Sequence, residues 1–206
     1  MKAERKASTE QPGLFETMPD WPEGLVYRDD VLSPDEESRL AERLGELPFQ
    51  AFQFHGFEGN RRTVSFGLHY AFDGSGLRAA EPVPGWLHPV RAKAAEVAGL
   101  PPEALEHVLV VEYGPGAGIG WHRDRSVFGD VVGLSLLAPA RLRFRRKTGD
   151  RWERKAVMVA PRSAYVLRGP ARSEWEHSIT PMEVLRYSLT FRTLRVPPRD
   201  GEIDQL

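Results

Sequence analysis

His122 and Asp124 stand two residues apart, with His177 well downstream. In an extended segment, residues i and i+2 project to the same face, so His122 and Asp124 can grip one ion while Arg123 points away. Two histidines and one carboxylate match the facial triad of non-haem iron oxygenases, which leaves the other metal positions open for a chelating co-substrate and O₂. The chain has no cysteine, so thiolate metal sites, disulfides and a cysteine nucleophile are excluded.

A second constellation lies in Arg186-Tyr-Ser-Leu-Thr-Phe-Arg192. The separation of the two arginines is even. A regular strand therefore puts both on one face with Ser188 and Thr190, and turns Tyr187, Leu189 and Phe191 to the core. Their Cα atoms would lie about 20 Å apart, and long side chains can converge from there on a dicarboxylate and on the acidic metal ligand. The guanidinium fork suits that task because it binds carboxylate bidentately and stays charged. Each piece alone has an ordinary structural reading: a chance HxD, a packed histidine, a solvated strand face. Their order along the chain is far more specific.

These residues need a scaffold. A length of 206 residues fits one domain with a substantial core. Seventeen prolines and nineteen glycines argue for a turn-rich, strand-rich protein. Residues 1–24, polar and broken by Pro and Gly, read as an irregular leader, and residues 25–206 as one domain. Ser33 and Glu36 form a capping box with Pro34 at the first helical position, and Pro48 stops that helix. A second helix is expected over Trp86–Val97, ended by Gly99. Strands are expected at His107–Tyr113, Val131–Leu137, Arg141–Arg145, Ala156–Val159, Ser163–Leu167 and Tyr187–Leu194. The fold class is α+β, mainly β: an antiparallel sandwich or jelly roll, its core about 105–196, supported by N-terminal helices. No apolar run spans a membrane and no secretory signal is evident, so a cytoplasmic monomer is expected.

The segments Tyr113-Gly-Pro-Gly-Ala-Gly-Ile-Gly-Trp-His-Arg-Asp124, Gly169-Pro-Ala-Arg-Ser-Glu-Trp-Glu-His177 and Arg186–Arg192 together resemble the AlkB family of Fe(II)- and 2-oxoglutarate-dependent dioxygenases. The resemblance covers about residues 52–195. It implies a double-stranded β-helix with Fe(II) held by His122, Asp124 and His177. Arg186 and Tyr113 would hold the distal carboxylate of 2-oxoglutarate, with Ser188 beside them, and Arg192 would lie near the other carboxylate and Asp124. Val111 and Ser188 stand where the family often has Asn, which places more of co-substrate binding on the arginines. Ser126, a candidate substrate contact, stands where DNA-repair members carry an acid. The implied reaction is oxidative demethylation of an alkylated nucleobase in DNA. 2-Oxoglutarate and O₂ would be consumed, and succinate, CO₂ and formaldehyde released.

A base must leave its stack to be reached. Residues 60–72, within a segment of about 50–80, resemble the family's nucleotide-recognition lid. Arg61 and Arg62 are candidate phosphate contacts. Phe66, His69, Tyr70 and Trp121 are candidate stacking groups, although aromatic strands are commonly core. The basic run at 141–155 reads as a solvated hairpin turning at Thr148-Gly149-Asp150, with phosphate binding an open alternative. The second functional reading is an RNA or tRNA demethylase or hydroxylase, and the third a small-molecule or protein hydroxylase on the same fold. In the leader, Gln11, Leu14 and Phe15 resemble the peptides with which bacterial proteins dock on the sliding clamp; folding back onto the domain is the ordinary alternative.

Overall fold

A computed structural model describes residues 20–54, 57–71 and 76–195, without the side chains of residues 52–59 and 71. The clamp-like residues Gln11, Leu14 and Phe15 fall outside the described residues. Among the described residues, no helix is long and apolar enough to cross a membrane.

The first helix, α1 (Pro34–Gly45), starts as its sequence dictates: Ser33 Oγ accepts from the Glu36 N–H at 3.2 Å, and the Ser33 N–H donates to Glu36 Oε2 at 2.9 Å. The second, α2 (His88–Ala98), is preceded by a single 3₁₀ turn at Gly85–Leu87, which absorbs the expected start at Trp86. It ends at Gly99, whose φ of 64° is left-handed and suits a residue without Cβ.

Among the described residues, thirteen strands make up most of the rest. β1 (Leu25–Arg28), β2 (Gln50–Phe54), β3 (Phe57–Phe66), β4 (Leu68–Ala71) and β5 (Gly76–Ala79) precede α2, except that α1 separates β1 from β2. β6 (His107–Tyr113), β7 (Ile119–His122), β8 (Phe128–Leu136), β9 (Ala140–Thr148), β10 (Arg151–Val159) and β11 (Ala164–Leu167) follow α2. A short helix α3 (Gly169–Ser173) leads to β12 (Glu176–Ile179) and β13 (Arg186–Leu194). The larger sheet runs β1-β11-β8-β13-β6-β3-β2, and the smaller runs β10-β9-β12-β7. A separate hairpin pairs β4 with β5. Among the described residues, the pairings within the two main sheets are antiparallel.

The expected jelly roll is present, but β1 to β5, β7 and β12 are not among the expected strands, and two further differences concern the hairpin and the lid. The hairpin strands extend further than expected, β10 beginning at Arg151 rather than Ala156, because the tight turn at 149–150 lets pairing run to its ends. The segment expected to be a lid is itself sheet: β3 pairs with β6 from Arg62↔Glu112 to Phe66↔Val108.

Side-chain alternation divides the core. Leu40 and Leu44 of α1 and Ala94, Ala95 and Ala98 of α2 pack with Val108, Val110, Leu134, Tyr187, Leu189 and Phe191 on one side of the large sheet. Val111, Tyr113, Val131, Leu142, Phe144, Tyr165, Leu167 and Ile179 form a second cluster between the two sheets. β13 thus gives its odd residues to the helices. Its even residues, Arg186, Ser188, Thr190 and Arg192, are all buried on the opposite face.

Candidate active site

His122 ends β7, the edge strand of the small sheet, and faces His177 of β12 directly across the ladder. Their rings lie 4.3 Å apart, centroid to centroid. Asp124 follows in the loop, and its Oδ2 is 3.7 Å from His177 Nε2. His122 Nδ1 is 2.9 Å from the Gly120 carbonyl, which leaves Nε2 as the ring nitrogen available to a metal. The three predicted ligands are therefore gathered on one inner surface. Among the described residues, however, no three His, Asp or Glu side chains are drawn into closed coordination geometry.

The electrostatics favour the states a divalent cation requires. Burial, then the neighbouring His122, pull the His177 imidazole down to about 3, so it is neutral at ordinary pH. Burial likewise lowers His122, against the attraction of Asp124. For Asp124, burial opposes ionisation, but Arg192, His177, His122 and Arg172 outweigh it and hold the carboxyl well below its usual value.

Arg192 supplies the strongest of those contacts, with Nε 2.9 Å and Nη2 2.7 Å from Asp124 Oδ1. Its Nη1 lies 3.1 Å from His107 Nδ1, the first residue of β6. Arg172 of α3 secures the loop after the aspartate, donating to the backbone carbonyls of Asp124, Arg125, Phe128 and Gly129 at 2.6–3.2 Å.

Arg186 is fully buried on the same inner face. Its Nε donates to Ser135 Oγ at 3.0 Å, and its guanidinium lies 5.1 Å from the centre of the Tyr113 ring. Both terminal nitrogens, Nη1 and Nη2, are buried without a hydrogen-bond partner among the described residues. A buried guanidinium left so is costly. An anion with two oxygens at the fork would satisfy both nitrogens at once. Tyr165 of β11 lies in the same region: burial raises its hydroxyl to about 12, with Arg186 pulling the other way. Gly133 of β8 makes room for it, since a Cβ there would stand 2.1 Å from the Tyr165 ring. Ser188 is buried opposite Val111, so the two positions that lack the family's Asn are neighbours across β13 and β6.

The expected substrate contacts separate. Arg61 is half-buried and interacts electrostatically with Tyr113 and His122, which places it on the cleft side of β3. Tyr70 carries the Arg125 guanidinium 5.1 Å from its ring centre. His69 and Ser126 are exposed. Three others are turned away from the cleft by strand alternation. Phe66 belongs to the core under the helices. Arg62 is bound at 2.7 and 3.0 Å to Glu112, whose carboxylate also accepts from Tyr187 on that same helix side. Trp121, next to His122 in β7, faces the outside of the small sheet beneath Arg143 and Arg145.

Sequence reasoning missed Ser135, Tyr165, Arg172 and His107. Ser135, a lone hydroxyl in an apolar strand, carried a detectable signal. Arg172 carried none, because its four carbonyl partners come from a distant loop.

A family model described as the 2OG-Fe(II) oxygenase superfamily matches residues 24–192, and the chain belongs to that family, whose members use Fe(II), 2-oxoglutarate and O₂. Within it the chain is of the AlkB type. It is 29% identical over 171 residues to the tRNA (carboxymethyluridine(34)-5-O)-methyltransferase alkbh8 of Xenopus tropicalis, covering 79% of this chain and 26% of that protein. Over 92 residues it is 34% identical to the alkylated DNA repair protein ALKBH8 homolog of Arabidopsis thaliana, covering 36% of this chain and 27% of that one. The chain thus spans about a quarter of the length of these relatives. The solved structure of OsALKBH1 superposes with a TM-score of 0.61 at 17% identity, covering 82% of this chain and 98% of that one, which shows a common fold.

Proposed function

We propose that this chain oxidises an alkyl group on a nucleobase of DNA or RNA, using Fe(II) held by His122, Asp124 and His177. The observation that carries the reading is that the triad of the small sheet and the unpartnered, buried fork of Arg186 on the large sheet both turn into the space between the sheets, where Tyr165 interacts with both Arg186 and Asp124. The residues fit both groups: two neutral imidazoles and an ionised carboxylate for iron, and a guanidinium fork beside Tyr113 and Ser135 for a carboxylate of 2-oxoglutarate. When bound, iron with 2-oxoglutarate and O₂ supplies an oxidant that inserts one oxygen atom into a C–H bond, while 2-oxoglutarate becomes succinate and CO₂.

The protein's own part is positional. Arg186 anchors the far carboxylate of the co-substrate. Arg192 keeps Asp124 ionised and oriented, and Arg172 keeps the loop after it from drifting. Arg61, Tyr70 and Arg125 would receive a base turned out of its stack. A hydroxylated N-methyl group is unstable and leaves as formaldehyde, so no nucleophile or general base from the protein is needed.

DNA alkylation repair is the first reading, in keeping with the name of the Arabidopsis relative. RNA, tRNA in particular, is the second, favoured by the tRNA enzyme of Xenopus. The deciding experiment incubates the protein with Fe(II), 2-oxoglutarate and matched methylated DNA and RNA oligonucleotides, then weighs the products. Loss of one CH₂ per succinate formed, as N–CH₃ becomes N–H, is expected. Succinate production with every oligonucleotide unchanged would point to a small-molecule or protein substrate and sink the nucleobase reading.

A further inference from the structure

The outer face of the small sheet carries a second pattern that the active site does not use. β9 turns Arg141, Arg143, Arg145 and Lys147 outward, spaced about 6.6 Å apart as alternate residues of a strand. Arg154 of β10 stands opposite Arg145 and so shares their face. Against these five cations the neighbouring strand β12 sets one carboxylate, Glu176, which binds Arg145. Among the described residues, the side chains of Arg141, Lys147 and Arg154 make no hydrogen bond or ion pair, and all three residues are exposed.

Two tryptophans are interleaved with the arginines. The Arg145 guanidinium lies 4.7 Å from the Trp121 ring centre and 4.4 Å from that of Trp152. Arg143 lies 4.9 Å from Trp121, and its Nε donates to Ser178 Oγ at 3.0 Å. Arg143, Trp121, Arg145 and Trp152 thus form one continuous stack, held by Ser178 and Glu176. Trp152 at its end is still 40% exposed, and Met158 on the same face is 56% exposed. A solvated hairpin does not require a pre-ordered stack of this kind.

We propose that this face is a track for a single-stranded stretch of nucleic acid flanking the target base. A row of one sign at strand spacing suits a repeating phosphate chain. Flat rings among the cations suit bases, which stack without regard to sequence. The track begins at Trp121 and runs away across β12, β9 and β10. Because Trp121 adjoins His122 through the backbone of edge strand β7, a chain leaving the cleft needs only to round that edge. The inference rests on the nucleic-acid reading of the active site, but it is tested by binding rather than by turnover.

Fluorescence anisotropy of labelled, unmodified DNA and RNA strands of one sequence provides the test. One length should be long enough to span the sheet, and the other should be a trinucleotide. Arg141→Glu/Arg154→Glu and Trp152→Ala are compared with wild type, with thermal melts and iron-dependent uncoupled 2-oxoglutarate turnover as controls. Both variants alter exposed side chains, so melts and uncoupled turnover are expected to be unchanged. The long strand is expected to bind about tenfold more weakly to each variant, of either sugar type, while trinucleotide binding is unaltered. The double charge reversal should also flatten the slope of log affinity against log salt by about 0.7 for each phosphate that is no longer neutralised. Equal affinity of wild type and both variants for the long strand, or weakening of trinucleotide binding to the same degree, overturns the track. If the variants weaken long-strand binding while no methylated nucleic acid is turned over by wild type, the proposed reaction falls and the track stands.

Discussion

Arg192 contacts Asp124 through two nitrogens at once, Nε at 2.9 Å and Nη2 at 2.7 Å from the same oxygen, Oδ1. Both side chains are more than nine-tenths buried. Oδ2 is left facing His177. One carboxylate oxygen is thus committed to the arginine and the other presented to the centre of the triad.

Arg192→Met should therefore act on folding as well as on iron. It strands an ionised carboxylate in the interior, and breaking a buried pair in this way costs about 3–5 kcal/mol. Chemical denaturation without metal should show that loss, and iron titration should show weaker binding. Arg192→Lys should recover part of the stability but little of the iron affinity, since one ammonium cannot reproduce the two-nitrogen contact. An unchanged denaturation midpoint in Arg192→Met would show that the pair contributes nothing to folding.

Replacing His122, Asp124 or His177 singly by Ala should abolish succinate production. The fold should persist, because the two hydrophobic clusters, not an exchangeable metal, hold the sheets together. Asp124→Ala should be the least stable of the three, because it strands the buried Arg192 guanidinium. Circular dichroism and a succinate assay are sufficient. Near-normal turnover in any one of the three would remove that residue from the ligand set.

Arg186→Ala should raise the 2-oxoglutarate requirement steeply, by the equivalent of about 2–5 kcal/mol for a desolvated charge pair. Arg186→Lys should rescue poorly, because a point charge does not replace the fork. In the absence of co-substrate Arg186→Lys should fold at least as well as wild type, having shed two buried, unpartnered nitrogens. Equal 2-oxoglutarate affinity in wild type and Arg186→Ala would refute the role.

His107 imposes a pH dependence on stability. Burial, followed by Arg192, holds its folded-state pKa well below 6.5. The unfolded chain binds a proton below about pH 6.5 that the folded chain refuses, so stability is complete above that pH and falls as pH drops below it. The contribution approaches about 1.4 kcal/mol per pH unit for one proton. His107→Asn should lose that part of the slope when denaturation at pH 7.5 is compared with pH 5.5. An identical slope in the variant would show that His107 accepts its proton in the folded state.

Local physics explains which parts were legible from sequence. The start of α1 is written in Ser33 and Glu36, and the end of α2 in Gly99, because caps are settled by side chains a few residues apart. The inward row Arg186, Ser188, Thr190, Arg192 is written in the period of a strand. The residue types at 122, 124 and 177 already confined any metal site they would form to nitrogen and oxygen ligands.

Tertiary structure decided the sides and the distant partners. Whether Phe66, Arg62 and Trp121 face a substrate or the opposite surface depends on pairing register, and a register shift of one residue would exchange the two faces of a strand. The pairing of β3 with β6 sends Phe66 to the helices and Arg62 to Glu112, and the pairing of β7 with β12 sends Trp121 outward. Ser135, Tyr165, Arg172 and His107 entered the site because non-consecutive strands and the loop after Asp124 meet there. Sequence alone thus determined the chemistry these side chains can perform. Only the long-range hydrogen bonding of the two sheets determined which of them share a face, because the energy that selects a register comes from burying whole sets of side chains, not from any residue's immediate neighbours.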